Sequence, residues 1–374
     1  MFVEMASSLG EVTELGVTVS PHSIPEDAHQ VLSLIRNNWR REDVRFKPIG
    51  ETGHINSMTV CYVTADMADA VVLRVFEAAY EFVMDRKREI QCTRLLHHLR
   101  ISPRLLCTFN NGVCFEYVNA GRFQFKDLSP FRNVKLARAV GRELARVHCR
   151  NTYELATSKS YDIRMDPVPF ESLRKLLVNW PTSVANPAAN ELFQKGYPPL
   201  DELSSEVESV ICVIEKMDQP LVFTHNDANP SNVLYDRLKD KATLVDYELC
   251  GFGPATYDLA VFLEFSATGL HPDIDNNRHT EAYQKSFLRE YLETKRGLDH
   301  AGCDVTDDDV NRLYAMTSKT MLLFYLMFGL AMVYQAARPA SHGVDPTMFM
   351  RLAISRWEWY KQHRDELLTT PIPE

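Results

Sequence analysis

A short polar segment near the middle of the chain, HNDANPSN from His225 to Asn232, most constrains the fold. Fourteen residues after Asn232 comes Asp246, in the run LVDYE. The polar residues are surrounded by short apolar fragments of strand-like composition, at 221–224 (LVFT), 233–235 (VLY) and 243–246 (TLVD). The connecting residues 236–242 are polar, as expected of a hairpin. The pattern therefore predicts polar groups on loops just beyond short strands, converging on one crevice.

These residue types suit phosphoryl transfer. An acceptor hydroxyl needs an oriented carboxylate to take its proton, and Asp227 is the candidate base. Mg²⁺ prefers oxygen ligands, which the amide of Asn232 and the carboxylate of Asp246 supply. The spacing H-x-D-x-x-x-x-N followed by Asp is that of a protein-kinase catalytic loop and its metal-binding Asp. The alternative is a pair of ordinary Asx-rich turns, but two such fragments at this spacing favour a site.

A second pair of charged residues supports this interpretation. Arg74 alternates with apolar residues in VVLRVF, and Glu89 lies on an apolar stripe of the following helical stretch, about 84–99. A carboxylate on such a stripe is costly unless it is paired. Kinases place a strand cation against a helix Glu to hold the nucleotide phosphates. The alternatives are two unrelated surface charges, or a local pair of Glu89 with Arg86 or Lys87.

The nucleotide loop is the least distinctive part of the pattern. The sequence contains neither a Walker A motif nor G-x-G-x-x-G. Before the first predicted strand stands GETGHINS, residues 50–57, which can turn tightly and offer backbone N–H groups to phosphate. Gly53 and Asn56 are its candidate nucleotide-binding residues.

The order of predicted elements divides the chain into a leader and two lobes. Strand candidates at 58–63, 70–76 and 113–118 make the first third strand-rich, and mostly helical patterns follow a possible hinge at 119–121. The predicted parts are an N-terminal leader and helix at 1–45, a strand-rich nucleotide-binding lobe at 46–120, and a larger helical lobe with the catalytic and substrate site at 121–374. We expect the first 25 or so residues to be loose.

Composition excludes several classes of protein. The 41 Lys+Arg against 50 Asp+Glu give a net charge of −9, which argues against a dedicated nucleic-acid binder and is compatible with a cationic substrate. The 8 Cys form no C-x-x-C pair, which indicates buried thiols in a reducing compartment. The N-terminus has no signal-peptide or transit-peptide pattern. We therefore expect a cytoplasmic protein.

One apolar segment challenges that expectation. Residues 320–337 carry no charge, and their length is at the lower edge of a membrane span. They include Tyr325, Tyr334 and Gln335, and single cations rather than clusters flank them. We expect a buried core helix and no stable membrane insertion.

Taken together, these residues resemble the choline and ethanolamine kinases, which share the fold of protein kinases and aminoglycoside phosphotransferases. The likeness runs from about residue 46 to 365. It is carried by HND with Asn232, by LVDYELCGFG, and by Tyr257-Asp258-Leu259 leading to Glu264. The stretch PRLLCTFNNGVCFEYV (103–118), the run VLRVF and the run DRKRE look like the ethanolamine-kinase version of the family. The resemblance implies a bilobal, protein-kinase-like α+β fold that phosphorylates ethanolamine with ATP and Mg²⁺, the first step of phosphatidylethanolamine synthesis.

The resemblance also implies roles for individual residues. Asp227 is the base, Asn232 and Asp246 hold Mg²⁺, Arg74 meets the phosphates and Glu89 orients Arg74. Asn229 stands where the family has a polar residue beside the substrate, and Glu264 stands at the position of an acidic residue near the substrate ammonium. Asp258 is expected to cap its helix and brace the catalytic loop rather than touch the substrate.

One departure from the family affects the acceptor. The family has two Trp around the ammonium in the helix near Gly329, where this chain has Phe328 and Ala331. An aromatic cage matters most to a quaternary ammonium, whereas a primary ammonium donates three hydrogen bonds and can rely on acids. Trp357, Trp359 and Tyr360 lie further along the chain. They either supply a replacement aromatic surface for the ammonium or serve only in packing.

Several alternatives stay open. If the protein is a kinase, its acceptor is ethanolamine, choline or another small amino alcohol. The alternative function is that of a kinase-like scaffold without turnover. The combination of Asp227, Asn232 and Asp246 argues against the scaffold. The sequence leaves the oligomeric state open, with a homodimer as one alternative.

Overall fold

The computed structural model describes residues 12–49, 56–76, 82–124, 127–302, 304–338 and 345–373. The chain divides into two compact units, one of residues 1–84 and 93–120, the other of residues 85–92 and 121–374. The division at residue 120 falls at the predicted hinge, while residues 85–92 group with the second unit.

The first unit is built on one sheet. Its elements are β1 (Thr13–Leu15), α1 (Ile24–Ile35), β2 (Arg45–Ile49), β3 (Asn56–Tyr62), β4 (Val71–Phe76), β5 (Leu105–Phe109) and β6 (Gly112–Glu116). The strand order is β1-β5-β6-β4-β3-β2, with β1 parallel to β5 and the other neighbours antiparallel. The helix α2 (Arg86–His98) begins in the second unit and ends in the first.

The expected leader is part of this unit. We placed the start of the lobe at residue 46, but the described residues 12–45 contribute β1 and α1. Val19, Ile24, Val31 and Leu32 of this segment lie in the same buried cluster as apolar residues of β3 to β6. The amphipathic face of α1 needs a partner, and the sheet provides it.

Arg74 lies on the same face of β4 as Phe76, as the alternation in VVLRVF predicts. Arg74 is 3% exposed, and its Cζ lies 5.7 Å from the centroid of the Phe76 ring, two residues along the strand. Successive side chains of a strand point to opposite faces, so residues two apart share a face.

The second unit is mostly helical. Its helices are α3 (Val134–Val147), α4 (Arg150–Ala156), α5 (Val168–Val178), α6 (Pro187–Gly196), α7 (Leu200–Glu215), α8 (Ala255–Thr268), α9 (Glu281–Leu298), α10 (Asp307–Ala337) and α11 (Pro346–Thr369). Its strands are β7 (Gly121–Arg122), β8 (Leu221–Thr224), β9 (Val233–Asp236), β10 (Lys241–Leu244) and β11 (Gly251–Pro254). They form a sheet β10-β9-β7 and a pair β11-β8. The predicted hairpin across residues 236–242 is therefore present, with β9 and β10 antiparallel.

The apolar segment 320–337 belongs to the long helix α10. Among the described residues this helix alone is long and apolar enough to cross a membrane, and 67% of its apolar window is buried inside the protein. The helix begins with a capping box, in which Thr306 and Asp309 each accept from the other's backbone N–H. The burial agrees with the predicted core helix.

A buried cation on α10 binds the end of α11. Lys319 is 5% exposed, and its Nζ donates to the backbone oxygens of Leu367 and Leu368 at 2.7 and 2.9 Å. Helix C-termini leave backbone carbonyls without partners inside the helix, and their partial negative charge suits an ammonium.

We predict that Gly112→Ala destabilises the first unit. A Cβ at Gly112 would lie 2.3 Å from the backbone oxygen of Arg74 and 2.2 Å from Cζ of Phe109. Relieving such overlap in a packed sheet costs about 1–3 kcal/mol, so the melting temperature should fall. Gly16→Ala is the matched control, because a Cβ there meets nothing within 4 Å. Equal melting temperatures for the two variants would contradict the prediction.

Candidate active site

The predicted catalytic loop follows β8 and places two amides on one carboxylate. Asn229 Nδ2 donates to Asp227 Oδ1 at 2.9 Å, and Asn232 Nδ2 donates to Asp227 Oδ2 at 2.9 Å. Asn232 Nδ2 also lies 2.9 Å from the backbone oxygen of Asp227. Because Asn232 donates through its nitrogen, its amide oxygen is the group left for a hard cation.

A buried carboxylate holds the loop from α8. Asp258 is 0% exposed and accepts the backbone N–H groups of His225 and Asn226, each at 2.7 Å. His148 Nε2 lies 2.9 Å from the same carboxylate, and His148 Nδ1 lies 3.0 Å from the hydroxyl of Tyr291. The prediction that Asp258 braces the catalytic loop is confirmed. The prediction that it caps α8 is wrong, because the cap position is Pro254 and no side chain caps there.

Two residues of the site adopt the left-handed backbone region. Asn226 has φ +65° and Asp246 has φ +67°. Non-glycine residues rarely take this conformation, which persists where the surrounding structure fixes it. At Asn226 the fixing contacts are visible, since its N–H donates to Asp258 and its Nδ2 donates to the backbone oxygen of Leu249 at 2.9 Å.

Burial and neighbouring carboxylates raise the pKa of Asp227. Burial is the main cause, the nearby charges of Asp246 and Glu248 add to it, and the hydrogen bonds from Asn229 and Asn232 oppose it, so that the pKa of Asp227 is about 8. A group of acids that repel one another in this way is stabilised by a cation. Sequence reasoning did not single out Glu248, although it stands two residues after Asp246.

The donor set fits Mg²⁺. Within the described ranges no group of three or more His, Cys, Asp and Glu residues is placed to hold a metal. Mg²⁺ does not require such a cage, since it is usually bound by one or two carboxylates together with substrate phosphates and water. Asn232 and Asp246 supply an amide and a carboxylate of the required kind.

Glu89 pairs locally. Its Oε2 lies 2.7 Å from Nη1 of Arg86, and the same nitrogen lies 3.7 Å from Oε2 of Glu248. This is the local pair that the sequence left as an alternative, and it links Glu89 to the acidic run after Asp246. Arg74 lies in the other unit, so an Arg74–Glu89 pair stays a prediction.

The structure gives little information on two of the predicted nucleotide-binding residues. Gly53 lies outside the described residues, and Asn56 is the first residue of β3. The role of residues 50–57 in binding phosphate therefore stays a prediction.

The predicted acidic residue near the substrate ammonium is deeply buried. Glu264, in α8, is 1% exposed, and its Oε1 accepts from Arg278 Nε and Nη2 at 3.2 and 3.1 Å. Its Oε2 accepts from the hydroxyl of Tyr325. Arg278 also lies over Trp359, with Cζ 5.2 Å from the ring centroid. Sequence reasoning missed Arg278, which stands 14 residues after Glu264 in a polar stretch without a recognisable motif.

The predicted aromatic residues belong to two separate groups. Phe328 stacks on Phe324 and carries the guanidinium of Arg356 over its ring, with Cζ 5.1 Å from the centroid. Trp357 and Tyr360 stack on one another, and the Tyr360 hydroxyl donates to Glu206 of α7 at 2.5 Å. The contacts of Trp357 and Tyr360 agree with the packing alternative.

The architecture and the catalytic loop define the class of protein. An ethanolamine kinase from Plasmodium vivax superposes with a TM-score of 0.70 at 17% identity, covering 93% of this chain and 90% of that one. A choline kinase from Cryptosporidium parvum gives a TM-score of 0.67 at 16% identity, covering 91% and 96%. The fold is thus the α+β, kinase-like fold of small-molecule phosphotransferases, as the sequence predicted.

The chain belongs to the choline/ethanolamine kinase family, whose model matches residues 48–361. Among curated proteins it is similar to ethanolamine kinase 1 of Homo sapiens, with 26% identity over 378 residues that span 100% of this chain and 80% of that protein. The family resemblance read from the sequence is confirmed.

We predict that Asp258→Asn destabilises the protein and the catalytic loop. Both oxygens of Asp258 accept backbone N–H groups, and an amide would turn an NH₂ group toward one of them. Breaking a buried, charged network of this kind costs about 3–5 kcal/mol, so the melting temperature should fall by roughly 4–6 °C. Asp218→Asn, at a side chain that is 97% exposed, should leave the melting temperature unchanged. A melting temperature like that of wild type would show that the loop does not depend on Asp258.

The raised pKa of Asp227 predicts a pH-dependent stability. Between about pH 4 and pH 8 the folded protein keeps a proton on Asp227 that the unfolded chain has lost, so this group destabilises the fold increasingly as pH rises. Asp227→Asn removes the effect. Without Mg²⁺, the variant should exceed wild type in melting temperature by a margin that grows from pH 5 to pH 8. A margin that is constant over this range would contradict the assignment.

Proposed function

We propose that this protein transfers the γ-phosphoryl group of ATP to the hydroxyl of ethanolamine, giving phosphoethanolamine and ADP. The observation that carries the proposal is Asp227, a carboxylate oriented by the amides of Asn229 and Asn232 on a loop anchored at Asp258. Membership of the choline/ethanolamine kinase family and the similarity to ethanolamine kinases support it.

Asp227 would act as the general base. The acceptor oxygen forms a bond to the γ-phosphorus, its proton passes to Asp227, and the bond to the β-phosphate oxygen breaks to release ADP. A base works best with a pKa near the working pH. The pKa of about 8 for Asp227 would fall when a divalent cation and a cationic acceptor reduce the repulsion from Asp246 and Glu248.

The other site residues would position the substrates and neutralise the charge of the phosphates. Asn232 and Asp246 would hold Mg²⁺, which supplies positive charge beside the phosphates. Arg74 would bind the phosphates, with residues around Gly53 and Asn56 offering backbone groups. Asn229, besides fixing Asp227, would border the acceptor. Catalysis of this kind depends mainly on positioning and electrostatic stabilisation.

The cysteines and the apolar helix α10 support the proposed location of the protein. The described cysteines are free, and all of them except Cys212 are buried. Together with the burial of α10, this supports a location in the cytoplasm, where thiols stay reduced. The partner is a small-molecule substrate, and whether the chain forms a homodimer is open.

The proposal predicts acceptor-dependent release of ADP. Purified protein with ATP and Mg²⁺ should release ADP with ethanolamine, more slowly with choline and at background without an acceptor. Removing the candidate base with Asp227→Ala should lower kcat by about 10²–10⁴-fold, and chelating Mg²⁺ should abolish turnover. Asp218→Ala is the control variant and should keep full activity.

The outcomes separate the alternatives. Faster turnover of choline than of ethanolamine would overturn the acceptor assignment while keeping the reaction. No turnover with either acceptor, from protein that melts cooperatively, would favour the scaffold or an acceptor of another class.

A further inference from the structure

The Glu264 cluster, made of Glu264, Arg278, Tyr325 and Trp359, has the chemistry of an ammonium site. A buried carboxylate and an aromatic face are the two groups that proteins use to replace the hydration of a cationic amine. Tyr325 and Trp359 pack with ring centroids 4.1 Å apart. In this structure both groups already bind a cation, since the guanidinium of Arg278 is paired with Glu264 and lies over Trp359.

A second aromatic ring in this region, that of Phe328, also has a guanidinium group over its face. Arg356 is 1% exposed, lies over Phe328, and donates to the backbone oxygens of Gly269 and His271 at 2.8 and 2.7 Å. Glu264, Arg278 and Arg356 thus bring one negative and two positive charges into a small volume.

The cluster shares a helix face with a residue next to the candidate base. Tyr257 is buried, and the nearby charges of Asp227 and Asp258 add to the burial that raises its pKa. Glu264 follows Tyr257 by two helical turns on the same face of α8, about 10 Å along the helix axis. The catalytic loop and the Glu264 cluster thus both contact α8, the loop through Asp258 and the cluster through Glu264.

We propose that Arg278 determines acceptor specificity by occupying this site as a resident cation, so that primary amines are accepted and quaternary ammonium groups are excluded. The inference rests on the proposed function and deepens it. It names Arg278 as the residue that sets the preference of ethanolamine over choline.

Hydrogen bonding explains the direction of the preference. A carboxylate offers about four lone-pair positions, and Glu264 uses three of them for Arg278 Nε, Arg278 Nη2 and the Tyr325 hydroxyl. A primary ammonium can donate to the position that remains. A trimethylammonium group has no N–H to donate and depends on aromatic faces, and here guanidinium groups cover Trp359 and Phe328.

The charge of Arg278 acts on both acceptors alike. Its side chain is 24% exposed, whereas that of Glu264 is 2% exposed. A primary and a quaternary ammonium each carry one positive charge, so repulsion from Arg278 does not separate them, and the preference comes from the hydrogen bonds and the ring contacts.

Steady-state kinetics with both acceptors test the proposal. Arg278→Gln removes the resident cation from Glu264 and from the Trp359 ring, so the ratio of kcat/KM for choline to that for ethanolamine should rise about tenfold. Arg174→Gln is the matched control, because Arg174 forms a two-point pair with Glu208 on the surface, and its ratio should stay at the wild-type value. An unchanged ratio in active Arg278→Gln protein would overturn the proposal.

A double variant tests the proposal in case Arg278→Gln alone misfolds. Arg278→Gln alone leaves Glu264 buried without its counter-charge, a costly arrangement, whereas E264Q/R278Q removes both charges. In the double variant Trp359 has lost its resident cation and a primary ammonium has lost its acid. The ratio of choline to ethanolamine should therefore rise there too, and a ratio like that of wild type would overturn the proposal.

Ligand-dependent melting separates this inference from the proposed function. Tetramethylammonium should raise the melting temperature of Arg278→Gln in a saturable manner and leave wild type unchanged, while neopentanol, a neutral compound of similar shape, should have no effect on either. If wild type turns over neither acceptor, the proposed function fails, yet the melting result still tests Arg278. The absence of any tetramethylammonium effect on Arg278→Gln would show that the Glu264 cluster is not a cation site.

Discussion

The buried carboxylate of Asp258 is the contact on which the site depends. It accepts two consecutive backbone N–H groups at the start of the catalytic loop and is itself fixed by His148. A loop with a left-handed residue at Asn226 would otherwise have easier conformations available. Through this one side chain, helix α8 determines where Asp227 stands, and the two amides on Asp227 determine which way its carboxylate faces. The chemistry thus rests on a residue that need not touch a substrate.

The sequence predicts the parts of this arrangement that depend on local pattern. The strands around the loop and the hairpin between β9 and β10 could be read from spacing and periodicity, and the role of Asp258 under the loop came from the family resemblance. Arg278 could not, because its partners Glu264 and Trp359 are distant in sequence and a lone Arg in a polar stretch carries no signal. The segment before residue 46 was underestimated for a similar reason, since β1 gains its partner β5 only in the folded sheet.

The Glu264 cluster shows how tertiary contacts can change the meaning of a residue. By the family resemblance, Glu264 is an acidic residue near the substrate ammonium, and Phe328 stands where the family has a Trp around that ammonium. In the fold both have a cation from the protein itself, and the aromatic residue bonded to Glu264 is Tyr325, which packs on Trp359 rather than on Trp357 or Tyr360. Burying two guanidinium groups near one carboxylate is tolerable because Arg356 also binds backbone carbonyls.

The ammonium of Lys319 gives the last turn of α11 a structural role. It is buried within α10 and binds the carbonyl oxygens of Leu367 and Leu368, which belong to the last turn of α11. A chain shortened by proteolysis or by a stop codon before residue 367 would leave this cation inside the protein without those partners, in the same helix that carries Tyr325 and Phe328. Loss of the last turn of α11 would then disturb the helix that also supplies Tyr325 to the Glu264 cluster.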